Sequence, residues 1–404
     1  MEKSTFSNYQ IRLIAILALI QFTNTLDFMI ISPLGAHLNR VMGIDSSKFG
    51  FVVSAYAFSA ALSGLFTALF ADKFDRRKLL IFFYMGFITG TFLCGFANDY
   101  ISLLFSRIIT GAFGGVIASI IFTIITDIFD FQVRGRAISF VQVSFSVSQA
   151  LGIPLGLFLA NRFNWHLPFL SIAVFSVVLL LLVSIWVVPM KPATPFKGNN
   201  YKRLLNIIAD KNYRKAYACT GLLVIGGFLV MPYASIFLVH NVGIPEKQLS
   251  VIYMVAGLTT IITGPLVGKL SDKFGKYKIF VIGSALVMLM ILLYTNLPHS
   301  TLWIVMLIFS ILYISVSSRM ISGMALITKV PEQSDRGSFM SINSSMQQLA
   351  GGMAAAAGGL IVYQNGIGKL INYSILGITT VLLVILSLFL MNRIHQTVIN
   401  KSPE

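Results

Sequence analysis

Apolar residues dominate this chain in long, separate runs broken by short polar stretches. Twelve runs can be placed, at about 12–36, 48–70, 79–97, 101–126, 136–160, 166–189, 215–240, 248–270, 279–297, 300–328, 337–363 and 369–392. Each is close to the roughly 20 residues a helix needs to cross the hydrocarbon core of a bilayer. The runs are too long for barrel strands and lack alternation with period 2. The pattern predicts an all-α polytopic membrane protein with twelve transmembrane helices. The first run exceeds the core of a signal peptide and has no small-residue cleavage site, so it is expected to remain as helix 1.

Composition agrees. Of 404 residues, 56% are hydrophobic and 11% charged, against about 25% charged in soluble domains. The 30 Lys and Arg residues are unevenly spread. With the N-terminus cytoplasmic, the termini and even-numbered loops hold 23 of them, and the opposite side holds Arg40, Lys48, Arg162, Lys247 and Lys369. The positive-inside rule then puts both termini in the cytoplasm, for a multi-pass protein of the cell membrane. The net charge of +16 is mostly this topological signal, with attraction to anionic lipid as a by-product. Nucleic acid is not an expected partner, because the basic residues are scattered loop anchors. Cys94 and Cys219 both lie in apolar runs, so neither a disulfide nor a metal site is expected.

The chain repeats itself. "GLFTALFADKFDRRK" (Gly64–Lys78) matches "GPLVGKLSDKFGKYK" (Gly264–Lys278) at an offset of 200, and "VRGRAISF" and "DRGSFMSI" share Arg-Gly at an offset of 202. Both pairs fall in cytoplasmic loops. Two parallel six-helix bundles follow, residues 1–190 and 215–404. The polar stretch 191–214, with Pro192, Pro195 and six Lys or Arg, is expected to be a cytoplasmic linker. With these motifs the chain resembles the major facilitator superfamily over nearly its whole length. That family's loop between helices 2 and 3 appears as Gly64…Asp72-Lys73-Phe74-Asp75-Arg76-Arg77-Lys78, with Asp75 in place of the usual glycine. The second copy keeps Gly264, Asp272 and Gly275. The resemblance implies a cytoplasmic gate in which Asp72 meets helix 11 and Asp272 meets helix 5. Asp127 at the inner end of helix 4 is a candidate partner for Arg76. Positive-inside anchoring alone is the simpler reading, but Asp72 and Asp272 are acids where an anchor would keep bases.

Of the fourteen Asp and Glu residues, only Asp27, in "TNTLDFMIISP", lies well inside a run. Translocon scales put an aspartate at mid-helix about 2.5–3.5 kcal/mol uphill. Asp27 lies roughly 13 Å from the outer end of helix 1, and Arg107 roughly 9 Å below the outer end of helix 4, at 1.5 Å per residue. The two reach similar heights, and an ion pair would offset part of the cost. "NTLDF" and "RIITG" (Arg107–Gly111) resemble helices 1 and 4 of the superfamily's drug:proton antiporters, which implies a part in proton coupling. A static pair fixing helix 1 against helix 4 is the alternative.

Helix 5 carries Gly152, Pro154 and Gly156, which resemble the core of the antiporter motif, although serines stand where further glycines are usual. The small-residue stretch "LAGGMAAAAGGL" of helix 11 suits close packing. Polar side chains inside a membrane tend to face a cavity or another helix. Gln21, Asn24, Gln142, Gln149, Tyr233, Asn343 and Gln347 are therefore the candidate substrate contacts. Two readings stay open for Arg319 on helix 10: it snorkels to the cytoplasmic face, or it enters the cavity that helices 1, 4, 7 and 10 line in the family and meets an anionic group.

The leading expectation is a monomeric, proton-coupled exporter of small lipophilic or amphipathic compounds, driven by the proton gradient without a cofactor and working by alternating access. A carrier of sugars, organic anions or lysolipids shares the fold, and a non-transporting sensor or scaffold is a remote alternative. No nucleophile–base set or phosphate loop suggests an enzyme.

Overall fold

A computed structural model of the chain describes residues 6–70, 73–190, 206–332 and 335–401. Among them are twelve long helices: α1 Asn8–Ile30, α2 Ser46–Phe70, α3 Arg76–Gly95 and α4 Tyr100–Ile128. α5 runs as Phe131–Val147, a π-helical turn Ser148–Gly152, and Ile153–Arg162. α6 is His166–Trp186 and α7 is Lys211–Val230, prolonged by irregular helical turns to Val242. α8 Glu246–Phe274, α9 Lys276–Thr295, α10 Leu302–Ile327, α11 Arg336–Ile361 and α12 Tyr373–Lys401 complete the set. Two two-residue strands, β1 Tyr363–Gln364 and β2 Leu370–Ile371, pair between α11 and α12.

Eleven of these helices are long and apolar enough to cross a membrane. α11 is the exception. It is equally long, but glycine, alanine and serine dilute its apolarity, because its side chains pack against other helices rather than face lipid. Polar caps hold several helix starts. Ser7 and Gln10 form a reciprocal capping box on α1, and Asp99 with Ser102 does the same on α4, satisfying donors that have no partner within the helix.

Packing follows the repeat. α1 packs on α5 and α6, α2 on α4, and α3 on α4 and α6; α7 packs on α11 and α12, α8 on α10, and α9 on α10 and α12. Two corresponding seams join the two sets, α2 with α11 and α5 with α8. A further correspondence at the same offset of 200 emerges in the loops: Gly43 and Gly243, with φ of +63° and +85°, end the helical turns after α1 and within α7. Ile44 and Ile244 are buried just beyond them. Positive φ is open to glycine at little cost.

α1 stops earlier than its apolar run. Pro33 has no N–H and disfavours helix at Ser32, so regular helix ends at Ile30 and resumes in a short helix, Gly35–Met42. Asp72 and residues 191–205 of the expected linker lie outside the described residues.

Glycine sets two of the tightest crossings. A Cβ on Gly111 of α4 would run into the Tyr56 carbonyl of α2, and one on Gly257 of α8 would meet the Ala150 backbone of α5. Overpacking costs about 1–3 kcal/mol. Gly111→Val is therefore expected to lower the melting temperature in detergent by several degrees. Gly227→Ala, with nothing within 4 Å of the added methyl, is expected to leave it unchanged or raised, since alanine exceeds glycine by about 0.8–1 kcal/mol in helix propensity. Thermal scanning of both variants checks the contrast.

Candidate functional site

Asp27 and Arg107 meet inside the first half. Arg107 Nη1 donates to Asp27 Oδ2 at 2.8 Å, and it also approaches the Asp27 carbonyl at 3.4 Å. Both side chains are fully buried. Thr91 of α3 donates its hydroxyl to Asp27 Oδ1 at 3.2 Å. The guanidinium lies over the Tyr56 ring of α2, 4.6 Å from its centroid, a cation–π contact that gains strength where water is excluded. Arg107 Nε and Nη2 have no hydrogen-bond acceptor among the described residues. Thus α1 and α4 supply the charge pair, and α3 and α2 each contribute one side chain that supports it. The pairing inferred from depth is present, but Thr91 and Tyr56 were not anticipated. A hydroxyl in an apolar helix carries no spacing that marks it.

The neighbouring helices bring α1 into place. A Cβ on Gly152 would collide with Leu26 Cδ1 at 2.7 Å, and one on Gly156 with Ile30 Cδ1 at 2.6 Å, so these α5 glycines let α1 approach on the face that carries Asp27's neighbours. Between them Pro154 supplies no N–H, and the preceding turn widens to π geometry, the local adjustment expected where an intrahelical bond is missing. There Ser148, in one of the places where further glycine is usual, donates to the Phe22 carbonyl at 3.1 Å. From the pair, contacts lead toward the second half: Tyr56 packs on Phe28 at 5.0 Å between centroids, and Phe28 on Phe228 of α7 at 5.8 Å.

The other polar candidates scatter. Asn24 Oδ1 accepts from the Tyr56 hydroxyl at 3.5 Å, which joins it to the site, and Gln21 bonds Thr25 one turn away. Gln149 is buried in the π turn and faces Tyr313 of α10. Gln142 is exposed and Gln347 half-buried. Asn343 is buried and accepts from Thr220 of α7 at 2.7 Å. Tyr233 lies elsewhere: its hydroxyl donates to the Ala355 carbonyl, and its ring packs beside Gly50 and Gly358, where α2, α7 and α11 close on the side away from the termini. Arg319 neither reaches the face that carries the termini nor points between the halves. It turns into the second half, with Nε donating to Ser284 of α9 at 3.1 Å and Nη2 to Ser387 of α12 at 2.7 Å. The Phe280 ring lies 5.8 Å from its guanidinium.

At the expected gate, Arg76 Nε lies 3.4 Å from Asp127 Oδ2, and Arg77 donates to the Ser184 carbonyl. Gly64 lies so near α11 that a Cβ would stand 2.7 Å from Ser345 Oγ, whereas Gly264 has open space. Asp272 is largely exposed and pairs with Lys276 at 3.8 Å, away from α5. The departure at Asp75 has a local cause. Its backbone has φ −59°, which any residue adopts, and its carboxylate caps α3 through Lys78 N. Gly275 has φ +94°, so the second copy needs its glycine.

The family model of the Major Facilitator Superfamily matches residues 17–211 and 216–404. The chain is 26% identical over 381 residues to the uncharacterized MFS-type transporter YbcL of Bacillus subtilis, covering 93% of this chain and 95% of that one. It is 24% identical over 347 residues to a probable sugar efflux transporter of Helicobacter acinonychis, covering 85% and 86%. Many solved structures share the fold, and two of them serve as examples. One is a bacterial homolog of the human lysosomal transporter Spinster, inward-facing and unoccupied, with TM-score 0.75 and 14% identity over 99% of this chain and 100% of that one. The other is a D-xylose-proton symporter, with TM-score 0.74 and 17% identity over 94% and 97%. The paired six-helix packing and a family match to both parts of the sequence lead to one conclusion: the chain belongs to the Major Facilitator Superfamily, as a multi-pass membrane protein and secondary transporter of small molecules rather than an enzyme.

Proposed function

We propose that the chain exports small lipophilic or amphipathic compounds in exchange for protons, with both termini cytoplasmic and residues 1–190 and 215–404 rocking about the site. The observation that carries this reading is the buried Asp27–Arg107 pair, 2.8 Å across. A neutral side chain would cost less there, so a carboxylate in that place points to a group that must change charge. Protonation of Asp27 removes the attraction that holds Arg107 against α1. The guanidinium then rests on Tyr56, whose contact with Phe28 leads to Phe228 in the second half. Charge on the pair is thereby tied to the packing between the halves. In the cycle, Asp27 takes a proton from outside when the site opens outward and releases it inside, driving export. Gln21, Asn24, Gln142, Gln149, Asn343 and Gln347 are the proposed polar contacts for substrate. Gly64, Asp72, Arg76, Arg77, Asp127, Gly264, Asp272 and Gly275 form the proposed cytoplasmic gate, with the Arg76–Asp127 pair as its first element.

A second reading, export of sugars, draws support from the relatives named as probable sugar efflux transporters. The same assay separates them. Inverted vesicles are energised, and a lipophilic cation, a set of sugars and a set of organic anions are offered in turn. The compound that discharges the proton gradient identifies the class. Asp27→Asn is expected to abolish gradient-driven accumulation of that compound while exchange of labelled for unlabelled compound continues. Equal accumulation by the asparagine variant would reduce Asp27 to a structural role.

Folding needs its own control. Removing one partner of a buried ion pair costs about 3–5 kcal/mol, whereas replacing both with neutral groups is often tolerated. Asp27→Ala and Arg107→Gln are each expected to melt lower than the Asp27→Asn/Arg107→Gln double variant. Thermal unfolding in detergent reads the difference.

A further inference from the structure

We infer that Glu246, with Arg40 and His37, forms a latch that holds the transporter closed on the side away from its termini. Glu246 begins α8, where the positive end of the helix favours an acid, yet its carboxylate is held by the other half of the molecule. Arg40 Nη1 lies 3.0 Å from Glu246 Oε1, and His37 Nδ1 lies 3.5 Å from Glu246 Oε2. Arg40 Nη2 also meets His37 Nδ1 at 3.2 Å. Both partners sit on the short helix Gly35–Met42 between α1 and α2. Asn161, at the end of α5, adds a 3.5 Å contact to the Glu246 carbonyl. The Arg40, His37 and Asn161 contacts to Glu246 each cross from the first half to the start of α8, while the Arg40–His37 contact ties the two partners together within their own helix.

Neighbouring contacts define the closed face around it. Asn39 and Gln364 bond each other reciprocally, at 2.6 and 3.2 Å. Ser235 donates to the Ser32 carbonyl at 2.9 Å and accepts from Ala36 N at 3.3 Å. These neutral bonds bring the faces into register, while Glu246 supplies the charge. Its side chain is 16% exposed and that of Arg40 59%, so water reaches the pair as soon as the halves begin to part. Exposed ion pairs are worth little individually, a strength suited to a contact broken and remade in each cycle. The latch does not depend on the coupling ion, and only its assignment to the outside rests on the proposed orientation.

The test reads closure without transport. Ala36, fully buried in the closed face, is changed to cysteine, and labelling by a membrane-impermeant maleimide is timed in right-side-out and in inverted vesicles. Protein carrying only Cys94 and Cys219 sets the background. Glu246→Gln and Arg40→Glu are each expected to speed labelling about fivefold, a shift of about 1 kcal/mol in the closed–open balance. The charge swap Arg40→Glu/Glu246→Arg is expected to return the rate to within about twofold of the parent. Lys247→Gln, next door and exposed, serves as the control and should leave the rate alone. Labelling of Glu246→Gln at the parent rate, or a swap that labels as fast as the single variants, would overturn the latch. A reversed orientation would instead move the signal to the other vesicle preparation with the ranking of variants intact.

Discussion

The arrangement of the first half depends on one requirement, that a carboxylate and a guanidinium survive together where no water reaches them. In such a medium an unpaired charge is costly, and pairing recovers the loss only with good geometry and further hydrogen bonds. The 2.8 Å contact supplies the geometry, and Thr91 and the Tyr56 ring supply the rest. Each supporting group comes from a different helix, so α1 to α4 must stand at one spacing and rotation. Glycine makes that spacing attainable: Gly111 brings α4 against α2, and Gly152 and Gly156 bring α5 against α1. The small residues and the charged pair are two parts of one solution.

The second half repeats the packing without repeating the chemistry. Its corresponding space is filled by rings: Phe309, at the offset of 202 from Arg107, packs against Tyr253, Tyr294 and Tyr313 at 5.5, 5.6 and 5.1 Å. Tyr294 and Tyr373 extend the cluster, and their hydroxyls donate to α7 carbonyls. Aromatic packing of this kind stabilises a bundle and carries no charge that must be balanced. The second half does hold a buried cation, Arg319, but that side chain is bound to hydroxyls of α9 and α12. Its setting ties the second half together internally, in contrast to Asp27–Arg107, whose aromatic contacts lead toward the other half. The two halves share a fold, and the charge pair stands in only one of them.

Much of this was legible in sequence because the relevant signals are linear. Run length predicts the helices, and a motif recurring after 200 residues predicts the pairing of halves. Depth along two helices was enough to bring Asp27 to Arg107. What a linear pattern does not carry is rotation. A helix apolar all round has no polar stripe to say which way a side chain points, so Arg319 could be placed in depth but not in direction, and Tyr233 proved to belong to the closed face. Hydropathy was also blind to Pro33, because proline interrupts hydrogen bonding without interrupting apolarity. Thr91 escaped for the opposite reason: one hydroxyl barely alters the pattern, and its value exists only beside Asp27.

The two ion pairs proposed to act in the transport cycle, Asp27–Arg107 and Glu246–Arg40, use similar chemistry at different depths, and depth decides what each can do. In a dry bundle a pair is sensitive to a single proton, because losing either charge leaves the other stranded. At a wet edge the same pair is weak, since water replaces each partner as it leaves. A coupling group needs the first behaviour and a gate needs the second. Between them small residues meet at the seams, Gly50 with Gly359 and Gly352 with Ala57 at α2–α11 and Gly257 with Ala150 at α5–α8, contacts that pack closely and separate without leaving charges behind. A carrier that must open and close repeatedly is thereby given a sensitive centre, smooth seams and an edge that yields.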